Sequence, residues 1–384
     1  MRSLGAGLYL HVPFCSKICP YCDFAVTTGG RQRRAEFVES LIAEAELWTG
    51  EPFSFDTLYF GGGTPSALEP DHLARIVDSL RSSLDIDPEA WIFLEANPED
   101  VTPASLADWR SLGVRTLSLG IQSFDVGRLA FLGRRHSPEE ARRSVLLARE
   151  AGFHTVSVDL IYGLPDQDVV AWQRDLQAAV ALGPDHLSCY QLTIHEGTPF
   201  GRRAERGQLA ELPEPAQADL FLLTHTFLAD AGWPGYEVSN FARTPEHRSR
   251  HNRKYWDHTP YLGLGPSAHS FSGARDNRRW WNERALGPWQ AQVARGERPI
   301  AGSEELAAEQ LALEELMLGF RTYAGVDFGR VRERYGIDLL AKNAAFVAQL
   351  AALGRITVEG SRIVPTLAGL AVADSLARGF EIEG

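Results

Sequence analysis

The sequence predicts an α/β protein, a partial (β/α)6 barrel followed by a smaller domain of helices and one hairpin. Three successive segments consist of a helix, a glycine and a strand, with the glycines at Gly113, Gly152 and Gly183. Glycine is typical of the position after a helix, and strands that alternate with helices form parallel sheets. About six strands suit a partial barrel, although an open flavodoxin-like sheet and a complete eight-stranded barrel also fit the alternation.

The first elements follow from apolar spacing. Leu8–Val12 predicts a strand that Pro13 must end, because proline has no N–H to continue the ladder. Residues 33–48 predict a helix with one apolar face. Further strands are predicted at 56–60, 91–95, 114–122, 154–163 and 186–194. Helices are predicted at 71–84, from Thr102-Pro103 and from the capping box that starts at Ser137.

Composition limits the class of protein. The 384 residues suffice for more than one domain, and the net charge of −12 argues against nucleic acid, which needs a basic face. The first residues are too weakly apolar for a signal peptide, and no apolar run reaches the ~18 residues of a membrane span. Three of the four cysteines share one loop, which fits a reducing compartment rather than disulfides. We therefore expect a cytoplasmic protein.

The three cysteines indicate a metal centre. Cys15, Cys19 and Cys22 form a C-x3-C-x2-C run directly after the first strand, and thiolates favour zinc or iron–sulfur sites. A structural zinc ion normally has four protein ligands, and no second cysteine or histidine pair stands at a workable distance. The spacing therefore predicts a [4Fe–4S] cluster that leaves one iron open for a small molecule. Cys189 lies in an apolar strand and is interpreted as a core residue.

Polar and glycine residues follow the other predicted strands. Gly61–Gly63 follow the second strand, Glu95 and Gln122 end the third and fourth, and Asp159 lies late in the fifth. In parallel barrels this edge carries the chemistry. The glycines allow a ligand to approach the backbone closely, but they are not a phosphate loop, because no Gly-Lys-Ser/Thr follows.

The cysteine run after a strand resembles the signature of the radical S-adenosylmethionine (SAM) family. The segments YLHVPFC and CPYCDF are similar to the branch that contains oxygen-independent coproporphyrinogen III dehydrogenase and the HemW haem chaperones. This resemblance covers almost the whole chain. It implies that the open iron binds SAM and that an electron from the cluster cleaves it to a 5′-deoxyadenosyl radical.

The same resemblance implies the SAM-binding residues. Glu95 matches a carboxylate that binds the ribose hydroxyls, and Tyr9 matches a residue stacked near the cluster. The alternatives to SAM binding are that Arg134 forms a structural ion pair and that Asp159 caps a neighbouring loop. The full candidate set is Tyr9, Gly62, Gly63, Thr64, Glu95, Gln122, Arg134 and Asp159.

The second half of the chain is predicted to close the barrel and to add a domain. Residues 195–215 predict a loop, and Gln217–Ala231 predicts a helix. The run HNRKYW, His251–Trp256, is similar to a HemW motif whose histidine is a proposed ligand of haem iron, so His251 is a candidate haem ligand. His269 is a further candidate. Alternatively, this segment only closes the open side of the barrel.

The C-terminal part resembles a winged helix. Ser303–Glu305 predicts the start of a helix through Leu318, and further helices are expected at 328–335, at 343–353 and from Thr366, with a hairpin at Glu359-Gly360. Eight Lys/Arg against twelve Asp/Glu from Ser303 onward argue against DNA binding. We divide the chain into a barrel at 1–200, a closing extension at 201–300 and a C-terminal domain at 301–384.

Two functions from different classes follow from the resemblance. The dehydrogenase has a further cysteine where this chain has Phe24, and a longer segment before Tyr9, which only eight residues precede here. Both differences favour a haem chaperone that lacks dehydrogenase activity and uses a [4Fe–4S] cluster, SAM and haem. The implied partners are haem-accepting proteins, those of the respiratory chain among them, and an electron donor. Peripheral membrane association and a homodimer stay open.

Overall fold

The computed structural model describes residues 5–382. Its main sheet begins with a run of parallel strands, each paired with the next along the chain. These strands are β1 (Ala6–Val12), β2 (Ser54–Gly62), β3 (Asp85–Ala96), β4 (Val114–Gln122), β5 (Thr155–Tyr162) and β6 (His186–Gln191). The connecting helices are α1 (Arg31–Glu46), α2 (Pro70–Ser83), α3 (Pro103–Ser111), α4 (Val126–Phe131), α5 (Pro138–Glu150) and α6 (Val169–Ala181).

The strand order decides between the predicted architectures. The parallel strands follow the order β1 to β6 without a reversal, whereas a flavodoxin-like sheet reverses its order at a switch point. Right-handed crossovers in one direction place all the connecting helices on one face of the sheet. Because the sheet does not close on itself within residues 5–382, the partial (β/α)6 barrel is confirmed, and the eight-stranded barrel is wrong.

The second half of the chain extends both edges of this sheet. The short helix α7 (Pro199–Glu205) and the long helix α8 (Glu214–Asp230) lead to β7 (Asn240–Ala242), which pairs antiparallel with β6. After α9 (Arg250–Trp256), strand β8 (Tyr261–Leu264) pairs parallel with β1. The opposite edge ends with three antiparallel strands and one helix, β9 (His269–Phe271), β10 (Arg278–Asn282), α10 (Leu286–Ala294) and β11 (Ile300–Glu305).

The C-terminal part has its own small sheet, in the order β12-β14-β13. Its buried core includes Leu316, Phe320, Val331, Ile363 and Phe380. Its elements are α11 (Ala308–Gly319), β12 (Val326–Asp327), α12 (Phe328–Tyr335), α13 (Leu339–Lys342), α14 (Ala344–Ala352), β13 (Ile356–Glu359), β14 (Arg362–Pro365), α15 (Leu367–Leu370) and α16 (Ala373–Arg378).

Alternation along the parallel strands explains where the main core and the cavity lie. Leu58, Leu117 and Val158 are fully buried on the helix-covered face, and burial of each such side chain contributes about 1.5–3 kcal/mol. Their strand neighbours point to the opposite face, where many are polar, among them Ser118 and Asp159. The inside of the partial barrel is therefore a polar surface, while the apolar core lies between the sheet and the helices.

Several local predictions are confirmed. The Thr102 hydroxyl accepts a hydrogen bond from the Ser105 amide at 3.1 Å, and Ser137 and Glu140 form the predicted capping box. Cys189 is buried in the core. Among residues 5–382, none of the helices combines the length and the apolar composition that crossing a bilayer requires.

Three local predictions are wrong. The predicted loop at 195–215 contains the helix α7. Thr198 caps the start of this helix, because its hydroxyl accepts a hydrogen bond from the Gly201 amide at 2.9 Å. Ser303–Glu305 belong to β11 rather than to a helix, because they pair antiparallel with β10. The helix expected from Thr366 is two short helices, α15 and α16. The domain limits at residues 200 and 300 remain predictions, and β11 begins at the second of them.

Candidate functional site

A single cavity opens among the carboxyl ends of the parallel strands. Its volume is about 400 Å³, and the loop that follows β1 forms one wall. Ten of the candidate site residues line it, namely Cys15, Cys19, Cys22, Gly62, Gly63, Thr64, Glu95, Gln122, Arg134 and Asp159. The geometry thus brings together residues that are far apart in the chain, and their binding roles remain predictions.

The cysteine loop is anchored at its base by backbone contacts. The Cys15 amide donates to the Thr27 carbonyl at 2.9 Å, and the Thr27 amide donates to the Pro13 carbonyl at 2.7 Å. The His11 ring forms a further hydrogen bond, at 2.9 Å, to the Ala25 carbonyl. These contacts tie both ends of the loop to the end of β1, so the three thiols face the cavity from a defined position.

The surroundings of the thiols suit a metal cluster. Burial raises the pKa of Cys15, and burial together with neighbouring acidic groups raises that of Cys22 to about 11. Thiolates at Cys15 and Cys22 therefore need a positive partner, which a bound cluster supplies. Within residues 5–382, no group of three metal-binding side chains is close enough for one ion.

Arg134 connects the cysteine loop to the strand ends. One terminal nitrogen of its guanidinium donates to the Asn97 side-chain oxygen at 2.6 Å and to the Gly120 carbonyl at 2.8 Å. The other lies 3.8 Å from the Cys19 sulfur. The side-chain nitrogen of Asn97 donates in turn to the Thr64 hydroxyl at 3.2 Å. That hydroxyl oxygen lies 3.6 Å from the Cys15 sulfur. The sequence reasoning missed Asn97, which joins these contacts.

Glu95 and Asp159 are two carboxylates in the cavity wall. Glu95 accepts from the Tyr59 hydroxyl at 2.7 Å and from the Gly62 amide at 3.2 Å. Burial, with a further contribution from the Asp159 charge, raises the pKa of Glu95 to about 7. Burial likewise raises the pKa of Asp159 to about 6, while hydrogen bonds from strand serines, including Ser118 at 2.9 Å, oppose the shift.

Gln122 presents an acceptor to the cavity. It adopts a left-handed backbone conformation with φ of 67°, where the pairing of β4 with β5 shifts register. Its side-chain oxygen is buried and has no hydrogen-bond partner among the described residues. Because a buried acceptor without a partner is unfavourable, this atom fits the prediction that a polar ligand binds here.

The deeper part of the cavity contains polar residues that the sequence reasoning did not identify. The Ser157 hydroxyl and the His186 ring are 2.8 Å apart, and the other His186 nitrogen lies 2.8 Å from the Tyr236 hydroxyl. Burial lowers the pKa of His186 to about 3, so the ring is neutral. The sequence signal that could have identified the residues on β5 and β6 is the alternation along these strands, where every second residue faces the cavity. Ser188, Asn240, His247 and Asn252 line the same region.

Tyr9 and His251 do not line this cavity. Tyr9 stacks on Tyr59 with ring centroids 6.0 Å apart. His251 is 1% exposed, and its nitrogens lie 2.9 Å from the Thr57 hydroxyl and 3.0 Å from the Tyr255 hydroxyl. Since both ring nitrogens are engaged, α9 fits the alternative in which this segment closes the barrel. Haem ligation by His251 remains a prediction that this geometry does not favour.

Comparisons with known proteins agree over most of the chain. Residues 9–177 match the Radical SAM superfamily, and residues 306–372 match the HemN C-terminal domain. The chain is 37% identical to a protein named heme chaperone HemW from Mycobacterium tuberculosis, over 97% of this chain and 94% of the relative. A protein of the same name from Bacillus subtilis is 31% identical, over 97% of this chain and 98% of the relative.

The fold also agrees with a solved structure. Coproporphyrinogen III oxidase (HemN) from Escherichia coli, described as a radical SAM enzyme, matches with a TM-score of 0.83 and 23% identity. The match covers 98% of this chain and 90% of that chain. At this identity the likeness shows a shared fold, and it says nothing about a shared substrate.

Proposed function

Because the chain belongs to the HemW family within the radical SAM superfamily, we propose that it is a haem chaperone. In this proposal it binds a [4Fe–4S] cluster and SAM, carries haem and transfers haem to acceptor proteins. The observation that carries the proposal is the shared cavity, in which the three cysteines face Glu95, Gln122 and Asp159.

Each group in the cavity has a defined task in this proposal. Cys15, Cys19 and Cys22 would hold the cluster, which supplies an open iron and an electron when bound. The Gly62–Gly63 backbone would allow close approach of the SAM amino group. The Glu95 carboxyl group would accept hydrogen bonds from the ribose hydroxyls, and the free oxygen of Gln122 offers one further acceptor.

Arg134, Thr64 and Tyr9 would act by positioning other groups. Arg134 holds Asn97 and lies beside the Cys19 sulfur, so it connects the loop to the strand ends. The Thr64 hydroxyl is oriented toward the Cys15 sulfur. Tyr9 packs on Tyr59, whose hydroxyl donates to Glu95. A change at Tyr9 should therefore alter SAM binding only indirectly.

Phe24 supports the chaperone over the dehydrogenase. The resemblance places a further cysteine of the dehydrogenase at this position, and Phe24 lies in the cavity wall with 60% of its surface exposed. A phenyl ring cannot ligate iron or transfer a hydrogen atom as a thiol does. We therefore propose that the cavity does not support oxidation of coproporphyrinogen III.

The proposed partners are haem-accepting proteins and a reductase or small redox protein that donates electrons to the cluster. The clustering of three of the four cysteines in one loop supports a cytoplasmic location, because it fits a reducing compartment. The acidic balance also gives no support for a nucleic-acid partner.

The test is anaerobic reconstitution of the full-length protein, followed by iron and sulfide analysis and by titration with SAM and with haem. Coproporphyrinogen III is supplied in parallel, together with SAM and a reductant. We expect cluster assembly and haem binding without formation of protoporphyrinogen. Turnover to protoporphyrinogen would contradict the chaperone proposal and favour the dehydrogenase.

The cluster assignment has a separate test. We expect Cys19→Ser to lose the iron–sulfur absorbance after reconstitution, because a three-cysteine cluster has no spare ligand. Cys189→Ala is the matched control, since Cys189 is buried in the core away from the loop and should leave the absorbance intact. Unchanged absorbance in Cys19→Ser would refute the three-cysteine cluster.

A further inference from the structure

A surface rich in positive charge includes the cysteine loop, on a chain that is acidic as a whole. It consists of residues 16–24 in the cysteine loop, residues 126–135 in and after α4, and residues 199–208 in and after α7. We call these three segments the basic rim. They carry seven Lys/Arg against two Asp/Glu, whereas the whole chain carries 38 against 50. The positive residues are Lys17, Arg128, Arg134, Arg135, Arg202, Arg203 and Arg206, and the acidic ones are Asp23 and Glu205.

Contacts around one phenylalanine hold the three segments together. The Phe200 amide donates a hydrogen bond to the Pro20 carbonyl at 2.9 Å, which joins α7 to the cysteine loop. The Phe200 ring also packs against Tyr21 and Phe131, with ring centroids 6.4 and 4.7 Å apart. Phe200 is buried in a small apolar cluster that is separate from the main core. The basic rim is therefore one continuous surface with an apolar base.

Most charges of the basic rim face solvent and are not neutralised within the chain. Five of its positive side chains are exposed, namely those of Lys17, Arg135, Arg202, Arg203 and Arg206. Among the ion pairs of residues 5–382, only Arg128 of the seven positive residues takes part, at 3.8 Å from Asp125. The Arg203 guanidinium lies over the Phe200 ring, 5.7 Å from its centroid, and this contact orients it. These charges are available to a partner of opposite sign.

Two apolar side chains of the cysteine loop are exposed within the basic rim. Ile18 precedes Cys19 directly and is 41% exposed, and Phe24 follows Cys22 by two residues and is 60% exposed. Apolar side chains surrounded by polar, arginine-rich surface are typical of protein–protein interfaces. The part of the rim nearest to the cluster ligands therefore has the composition of an interface.

A compact protein fits this surface better than a membrane or a nucleic acid does. Binding to an anionic bilayer usually relies on a long basic amphipathic helix, and the helices of the rim, α4 and α7, have only six and seven residues. A nucleic acid extends beyond the rim, where the net charge of −12 repels it. A compact protein with one acidic face meets the rim alone, because surface charges beyond about 10 Å are screened by salt.

We propose that the basic rim is the docking surface for the electron donor of the cluster, a small redox protein with an acidic face that carries a flavin or an iron–sulfur centre. The inference rests on the proposed function, because a cluster held by Cys15, Cys19 and Cys22 needs an electron. A partner seated on residues 16–24 contacts the loop that supplies these ligands, which brings the two redox centres close together. One electron leaves the reduced donor and enters the cluster, so the donor is oxidised and the cluster reduced by one electron.

The first test measures binding of a flavodoxin, an acidic redox protein, to the cluster-free full-length protein by calorimetry at low and at high salt. Two variants each replace three exposed arginines with glutamate, so they change the net charge equally. The rim variant is R202E/R203E/R206E, and the control variant, outside the rim, is R81E/R174E/R378E. We expect the affinity of the wild type to fall as salt rises. The rim variant should bind about tenfold more weakly, and the control variant should bind as the wild type does.

The second test follows the loss of iron–sulfur absorbance when reduced flavodoxin is added to the reconstituted protein. The rim variant should be reduced about tenfold more slowly than the wild type. Dithionite is a small reductant that needs no docking surface, so it should reduce both proteins at similar rates. K17E/R135E changes two other exposed residues of the rim and gives independent evidence should R202E/R203E/R206E not fold.

The outcomes separate this inference from the proposed function. Equal flavodoxin affinity in the wild type and both rim variants, or no flavodoxin binding at all, would overturn the docking surface and leave the chaperone function standing. Binding to phosphatidylserine vesicles that the rim variant loses, without binding to flavodoxin, would assign the surface to a membrane and also overturn the inference. If no cluster assembles in the wild type, the proposed function itself fails. The binding test distinguishes these failures, because it uses the cluster-free protein.

Discussion

The raised pKa of Glu95 predicts how the stability of the protein depends on pH. In the folded protein the pKa of Glu95 is about 7, against an ordinary value of 4.5. Between these values the folded protein keeps a proton that the unfolded chain has released. The contribution of Glu95 to the free energy of unfolding is therefore present below pH 4.5 and is lost as the pH rises toward 7. Glu95→Gln cannot titrate and removes this dependence.

The size of the effect follows from linkage. One proton held only by the folded state changes the free energy of unfolding by about 1.4 kcal/mol per pH unit. Between about pH 5.5 and about pH 7.5 the full effect is about 2 kcal/mol. We expect about 1–2 kcal/mol, because Glu95 faces a cavity that water can enter. Asp159 contributes to the shift, so the measured difference belongs to this pair.

The assay is urea denaturation of the cluster-free protein at about pH 5.5 and about pH 7.5. The wild type should lose about 1–2 kcal/mol more stability over this range than Glu95→Gln does. Glu89→Gln is the matched control, because Glu89 lies on the same strand and its side chain is 80% exposed. Parallel pH profiles for wild type and Glu95→Gln would show that the carboxylate ionises normally and would refute the reasoning.

Two further substitutions test the scaffold around the site. Glu44→Ala should lower the free energy of unfolding by about 3–5 kcal/mol in urea denaturation. The reason is that it leaves three buried N–H donors without their carboxylate acceptor, those of Gly265, Asn282 and Trp289. A loss below about 1 kcal/mol would contradict this explanation. Gly62→Ala should cost about 1–3 kcal/mol and weaken SAM binding in calorimetry, because φ is 111° and an added Cβ would lie 2.7 Å from the His11 ring. Gly30→Ala, where no atom lies within 4 Å of an added Cβ, should be nearly neutral, and equal effects at both glycines would argue against a steric cause.

Much of the fold and of the candidate site followed from local patterns in the sequence. The helix–glycine–strand order depends on backbone preferences that act within a few residues, and so do the N-cap at Thr102 and the capping box at Ser137. The parallel arrangement then requires that all strands end at one edge. For this reason Glu95, Gln122 and Asp159 could be predicted to meet the cysteine loop before any distance was known.

Other features depended on contacts between distant parts of the chain. β11 could not be distinguished from a helix start because its conformation comes from pairing with β10, not from Ser303–Glu305 themselves. Residues that meet because their strands are neighbours in the sheet, such as Asn97 after β3 and Arg134 beyond β4, carry no local signal of their contact.

His251 in α9 and His258 just after it illustrate the difference between what the sequence determines and what the tertiary structure decides. By itself the sequence determined most of the secondary structure and the edge at which the cysteines lie, because both follow from spacing along the chain. Only the tertiary structure decided that His251 is enclosed with both nitrogens engaged, and that His258 has a free imidazole facing α11. Burial and hydrogen-bond partners are set by neighbours distant in the chain, and residue type and spacing do not specify them.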